Sequence, residues 1–176
     1  MRIAGAIVML VAMLGLGGIA AAADSAVGPQ AFYGRYKGTA VTQDPNAALY
    51  GFEDRDLDVE IGPAENGFFV AWTTVVRPLN GKEPSRSSTR VTFEQSPRPG
   101  IYGGHWAPDS AKGIAWAAIV GKVLRIRLLE ILDDGTYEVQ SYDRALSQQG
   151  LSLLFKSDRD GSTIKIVSAM LEKQAQ

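Results

Sequence analysis

Residues 134–173 read DGTYEVQSYDRALSQQGLSLLFKSDRDGSTIKIVSAMLEK. Three β-rich runs are separated by short turns at Asp134-Gly135, Gln149-Gly150 and Asp160-Gly161. Tyr137 and Val139 alternate with Glu138 and Gln140. Leu151, Leu153 and Phe155 alternate with Ser152, Leu154 and Lys156, and Ile164 and Ile166 with Thr163 and Lys165. Glycine-containing turns between period-two runs are the local signature of antiparallel hairpins. The segment therefore reads as a β-meander.

The preceding chain has the same style. Strands are expected from Phe32 to Thr42, Arg55 to Gly62, Gly67 to Arg77, Ser87 to Gln95 and Ile101 to Ala107. Ile114 to Val120 and Val123 to Leu132 follow, joined by a tight Gly121-Lys122 turn. The clearest alternation sets Leu57, Val59 and Ile61 against Asp56, Asp58 and Glu60. Many short strands with short turns predict an all-β, antiparallel up-and-down meander closing into a barrel of about 8–10 strands, since closure removes exposed edges. An outer-membrane barrel shares this alternation but needs an apolar outward band. Here Asp56, Asp58, Glu60, Arg90 and Glu94 would then have to line the lumen.

At the N-terminus, Arg2 precedes an apolar, glycine-rich run from Ile3 to Ile19, and Ala21-Ala22-Ala23 offers a small-residue cleavage pattern. Residues 1–23 read as a secretory signal peptide, with an uncleaved anchor as the alternative. Gly15, Gly17 and Gly18 weaken a permanent helix and favour cleavage. Residues 24–176 are expected to form a single domain, periplasmic or secreted and not inserted in a membrane after cleavage. The formal charge of −1 becomes −2 when Arg2 leaves with the signal. Such a balance gives nucleic acid or an anionic membrane no electrostatic hold. With no cysteine, the chain has no acceptor for lipidation, no disulfide staple and no thiol chemistry.

The Gly34-Arg35-Tyr36 opening of the first strand, followed by the meander, resembles the calycin group of lipocalins, avidin-like and fatty-acid-binding proteins. In lipocalins a tryptophan stands where this chain has Tyr36, and a late arginine packs over it at the closed end. The resemblance makes Arg144 the candidate counterpart of that arginine. It implies a cup that binds a small apolar molecule. The chain is also similar to uncharacterised exported β proteins of proteobacteria, a group that brings no function with it.

His105, the single histidine, lies beside Trp106 and near Asp109 and Ser110. No Gly-x-Ser-x-Gly accompanies it, so a structural or mouth-lining histidine is expected, with no catalytic residue and no metal site. The acidic groups Asp56/Asp58/Glu60 and Asp133/Asp134 suit a solvated strand face and a hairpin turn better than calcium or glycoside chemistry. Trp72, Trp106 and Trp116, with Phe68, Phe69, Tyr102 and Phe155, suit either a core or a pocket lining. Ala115, Ala117 and Ala118 either leave ligand space or permit close packing. The expected ligand-binding residues are Tyr36, Trp72, Tyr102, His105, Trp106 and Trp116.

The function expected is binding of a small apolar or amphipathic molecule, without turnover and without a cofactor. The competing expectations are an envelope interaction module with a filled barrel, and a hydrolase or isomerase using His105. The strand Val123 to Leu132 is expected to bury Leu124, Ile126 and Leu128 and to leave Arg125 and Arg127 outside. Any cup should then be mainly apolar and favour neutral ligands.

Overall fold

Every strand presents alternate residues to opposite faces, so the fold turns on which parity each strand buries. The structure, a computed structural model, describes residues 27–43, 53–78, 82–106 and 113–175, with the side chains at 41–43 and 53–56 left aside. The expected signal peptide, Asn80-Gly81, Asp109 and Ser110 lie outside the described residues. A 3₁₀ turn, Pro29–Phe32, leads into β1 (Gly34–Gln43), β2 (Glu53–Ala64), β3 (Gly67–Arg77), β4 (Ser85–Gln95) and β5 (Ile101–His105). There follow β6 (Gly113–Val120), β7 (Val123–Ile131), β8 (Tyr137–Leu146), β9 (Gly150–Arg159) and β10 (Ser162–Lys173). These ten strands pair antiparallel in chain order, and β1 also pairs with β10, placing Tyr36 opposite Lys173. The result is a closed up-and-down barrel.

Phe32, expected to begin the first strand, belongs instead to the 3₁₀ turn. Pro29 presets the backbone of that turn. The Tyr36 hydroxyl donates to the Phe32 carbonyl oxygen at 2.7 Å and fastens the turn across one end of the barrel. Beneath it Phe68 stacks on Phe93 with ring centroids 5.1 Å apart and meets Tyr102 edge-on at 4.9 Å. Ile61, Leu124, Leu151 and Leu171 complete this buried floor. Burial of each such side chain contributes about 1.5–3 kcal/mol.

Ala115 and Ala117 face inward and are buried. A Cβ placed on Gly104 would meet the Ala115 Cβ at 2.6 Å and the Phe93 ring at 2.9 Å. These small residues therefore serve close packing of β4, β5 and β6. Two turns carry the positive φ they need. Asp160 (φ 46) and Gly161 (φ 80) make the β9–β10 hairpin, and Gly150 (φ 150) opens β9 where a Cβ would run into the Leu171 carbonyl oxygen.

The outward face of β1 and β2 is charged: Arg35 lies 3.7 Å from Glu60 and Lys37 lies 3.5 Å from Asp58. On β7 the expected faces hold. Leu124, Ile126 and Leu128 are buried, while Arg127 Nη1 donates to Asp143 Oδ1 at 2.7 Å and Arg125 Nε lies 3.7 Å from Asp143 Oδ2, both on the outside. One half-exposed carboxylate shared by two arginines is a weak fastener. Arg125→Ala and Arg127→Ala are each expected to change unfolding free energy by no more than about 1 kcal/mol in denaturant titrations.

β8 behaves differently. Its partners fix the parity: Ile126 pairs with Tyr142, Leu124 with Arg144, and Leu128 with Gln140. Glu138, Gln140, Tyr142 and Arg144 therefore face inward, and Tyr137 and Val139 face outward. On β10 a register shift between Thr163 and Lys165 sets Lys165 opposite Ser157, a buried position, and turns Ile166 to the outer face opposite Lys156.

Candidate functional site

Above the aromatic floor the described residues leave space in the barrel interior. A cavity of about 320 Å³ lies among β2, β3, β4, β8, β9 and β10. Its apolar lining comes from the inward parity of β2 and β9, which supply Leu57, Val59, Leu153 and Phe155. Trp72 and Tyr142 touch at its edge, with ring centres 5.0 Å apart, and Tyr142 lies 4.7 Å from Phe155, so three rings form one continuous aromatic wall.

Thr73, Thr74, Ser87 and Thr89 of β3 and β4 bring hydroxyls to the lining, and β8 brings its longer polar groups. Arg144 is 1% exposed, and its Nε and Nη1 have no hydrogen-bond partner among the described residues. Its Cζ lies 5.0 Å from the Tyr142 ring centre and 5.5 Å from that of Trp72. Burial draws the guanidinium down to about 10 from its ordinary value, with Tyr142 opposing the shift. It is still a cation at neutral pH. Gln140 and Lys165 also border the cavity.

Toward the opposite end from the 3₁₀ turn, the inward residues of β8 form a hydrogen-bonded ladder. Tyr142 Oη donates to Gln140 Oε1 at 2.8 Å, and Gln140 Nε2 donates to Glu138 Oε1 at 3.1 Å. Ser157 Oγ donates to the same Glu138 oxygen at 2.7 Å, and Arg159 Nη2 to Oε2 at 3.0 Å. Burial pushes the Glu138 carboxyl up, but the donors from Ser157, Arg159 and Gln140 outweigh it and hold the group below the usual glutamate value. A depressed folded value contributes stability that is fully present above the unfolded value of about 4.3 and is lost as pH falls through the folded value. Glu138→Gln is thus expected to lower Tm at neutral pH and to flatten its decline below about pH 4.3, measured as Tm against pH for both proteins.

Of the six residues expected to bind ligand, Trp72 borders this cavity. Tyr36 and Tyr102 are buried in the floor instead, and Trp106 is partly buried against the core. Trp116 is 40% exposed on the outer face, because its neighbours Ala115 and Ala117 take the inward positions. His105 also faces out, with Nε2 3.3 Å from Glu94 Oε1 and its side chain 73% exposed. A histidine so placed has no reach into the cup. Asp134 is a turn residue, as expected. Hydrogen bonds from the Thr136 hydroxyl and backbone N–H, at 2.6 and 2.9 Å, hold its carboxyl below the usual range.

Two expectations about arginine need correction. Arg144 does not cover Tyr36; Lys173 Nζ does, 5.8 Å from the ring centre, while Arg144 sits over Trp72 and Tyr142. The cup is also not mainly apolar, since Arg144, Lys165 and Gln140 join its lining. Tyr142, Gln140 and Lys165 were not singled out from the sequence as site residues. The signal that could have found Tyr142 and Gln140 is the even-numbered series Glu138, Gln140, Tyr142, Arg144; Lys165 has no such local signal. No protein-family model matches the chain, and no curated protein matches it either.

Proposed function

We propose that this protein is an exported binding protein that holds a small amphipathic molecule in its barrel and releases it unchanged. The observation that carries this reading is the aromatic-walled cavity of about 320 Å³ above a sealed floor. Ligand sites typically occupy about 300–1,000 Å³ and combine apolar walls with a few convergent polar groups. The combination of Trp72, Tyr142 and Phe155 with Gln140 and Arg144 has this character. Export and a periplasmic or extracellular location belong to the same proposal and rest on the Arg2 to Ala23 pattern. Native mass spectrometry of protein purified without denaturation is expected to show a bound small molecule that organic extraction releases. Protein that is empty in repeated preparations, with Trp72 fluorescence unmoved by small aromatic amphiphiles, would overturn the reading.

A second reading, an envelope interaction module, rests on the outer face. Ile114, Trp116, Ile131 and Tyr137 are 58%, 40%, 43% and 41% exposed on β6, β7 and β8. Such apolar exposure is characteristic of docking surfaces. In-cell crosslinking through residue 116 that captures no specific protein would count against it.

A further inference from the structure

We propose that the cup is selective for a planar organic anion, whose acid group is received by Arg144 while its ring system lies against the Trp72–Tyr142–Phe155 wall. The inference rests on the binding reading above and names the ligand class it requires.

Three observations converge on it. Arg144 is 1% exposed, yet Nε and Nη1 have no acceptor among the described residues. Native interiors almost always satisfy such groups, so a buried guanidinium with idle donors points to an acceptor that arrives from outside the chain. Second, the lining is unbalanced in charge. Among the described residues bordering the cavity there are two cationic side chains, Arg144 and Lys165, and no carboxylate. The nearby Glu138 is already engaged by Ser157, Gln140 and Arg159, and Asp143 points outward to Arg125 and Arg127. An incoming anion would neutralise the site in a low-dielectric setting, where a charge-assisted hydrogen bond is strongest. Third, Arg144 lies over two of the three rings of the aromatic wall. An acid group reaching the guanidinium therefore brings its attached scaffold alongside Trp72 and Tyr142, where a flat ring packs best. The cavity volume suits a molecule of one or two fused rings.

The test uses a matched pair of probes, 2-naphthoate and its neutral amide 2-naphthamide, titrated by calorimetry and Trp fluorescence into the purified protein. Wild type is expected to bind naphthoate about tenfold or more tighter than naphthamide, the size of a charge-assisted hydrogen bond. Arg144→Met is expected to abolish this preference while changing naphthamide affinity by less than about threefold, and Arg144→Lys to retain part of it. Equal binding of the two probes by wild type, or a preference that survives Arg144→Met, overturns the anion assignment and leaves the cup reading standing. Failure of both probes to bind wild type overturns both readings. Should Arg144→Met not fold, the wild-type preference and its partial retention in Arg144→Lys decide the matter.

Discussion

Arg144→Met is expected to make the ligand-free protein more stable, by about 1–4 kcal/mol, in the direction seen when buried charge is exchanged for apolar groups of similar volume. Arginine at this position bears a charge at neutral pH, is buried and leaves Nε and Nη1 without acceptors among the described residues. Desolvation of such an ion costs several kcal/mol. Its compensation is the ring faces of Tyr142 and Trp72, at 5.0 and 5.5 Å, and a desolvated cation–π contact is worth about 2 kcal/mol. The cost exceeds the compensation. Methionine keeps an unbranched side chain among the same rings and strands no donor. At roughly 2–4 °C per kcal/mol for a domain of this size, the rise is readily measured by calorimetry. A fall in Tm of several degrees instead would show that Arg144 is a structural cation held by its rings, and would remove the reason to seek an anion.

Phe68→Ala is expected to have the largest destabilising effect of a single change, about 3–5 kcal/mol. Phe68 is wholly buried where Phe93 stacks on it and Tyr102 meets its edge. Truncation leaves a void in a floor whose backbone is tied by the β2–β3 and β3–β4 ladders, so the walls cannot collapse to fill it. Two ring–ring contacts, each worth about 0.5–1.5 kcal/mol beyond burial, are lost as well. Tm should drop by about 6–20 °C. Because the floor lies below the cavity, binding of 2-naphthoate well below the new Tm should be nearly unchanged. A loss of stability under about 1 kcal/mol would mean that the floor is loosely packed.

The all-β class, the meander, the Asp160-Gly161 hairpin and the faces of β7 were legible without coordinates. Each depends on neighbours in the chain: alternation over a few residues, or a turn residue that tolerates positive φ. The faces of β7 were legible because one parity holds Leu124, Ile126 and Leu128 and the other holds two arginines, so desolvation decides between them. The site was far less legible. Trp72 borders the cavity, whereas Trp116 and His105, expected beside it, face outward.

Arg144 shows why. Taken alone, an arginine belongs outside, and the Tyr137–Val139 parity of β8 offers the more apolar side at the strand's start. What turns Arg144 inward is pairing: Tyr142 must sit beside Ile126 and Phe155 to continue the aromatic wall, and Arg144 shares its parity. Lys165 is carried inward by the register shift at the start of β10. Local alternation thus sorts a strand into two faces and, where one is clearly apolar, says which is buried. Where both faces are mixed, the choice belongs to the closed barrel, because the free energy of burying a parity is shared with the strands on either side and cannot be read from one strand alone.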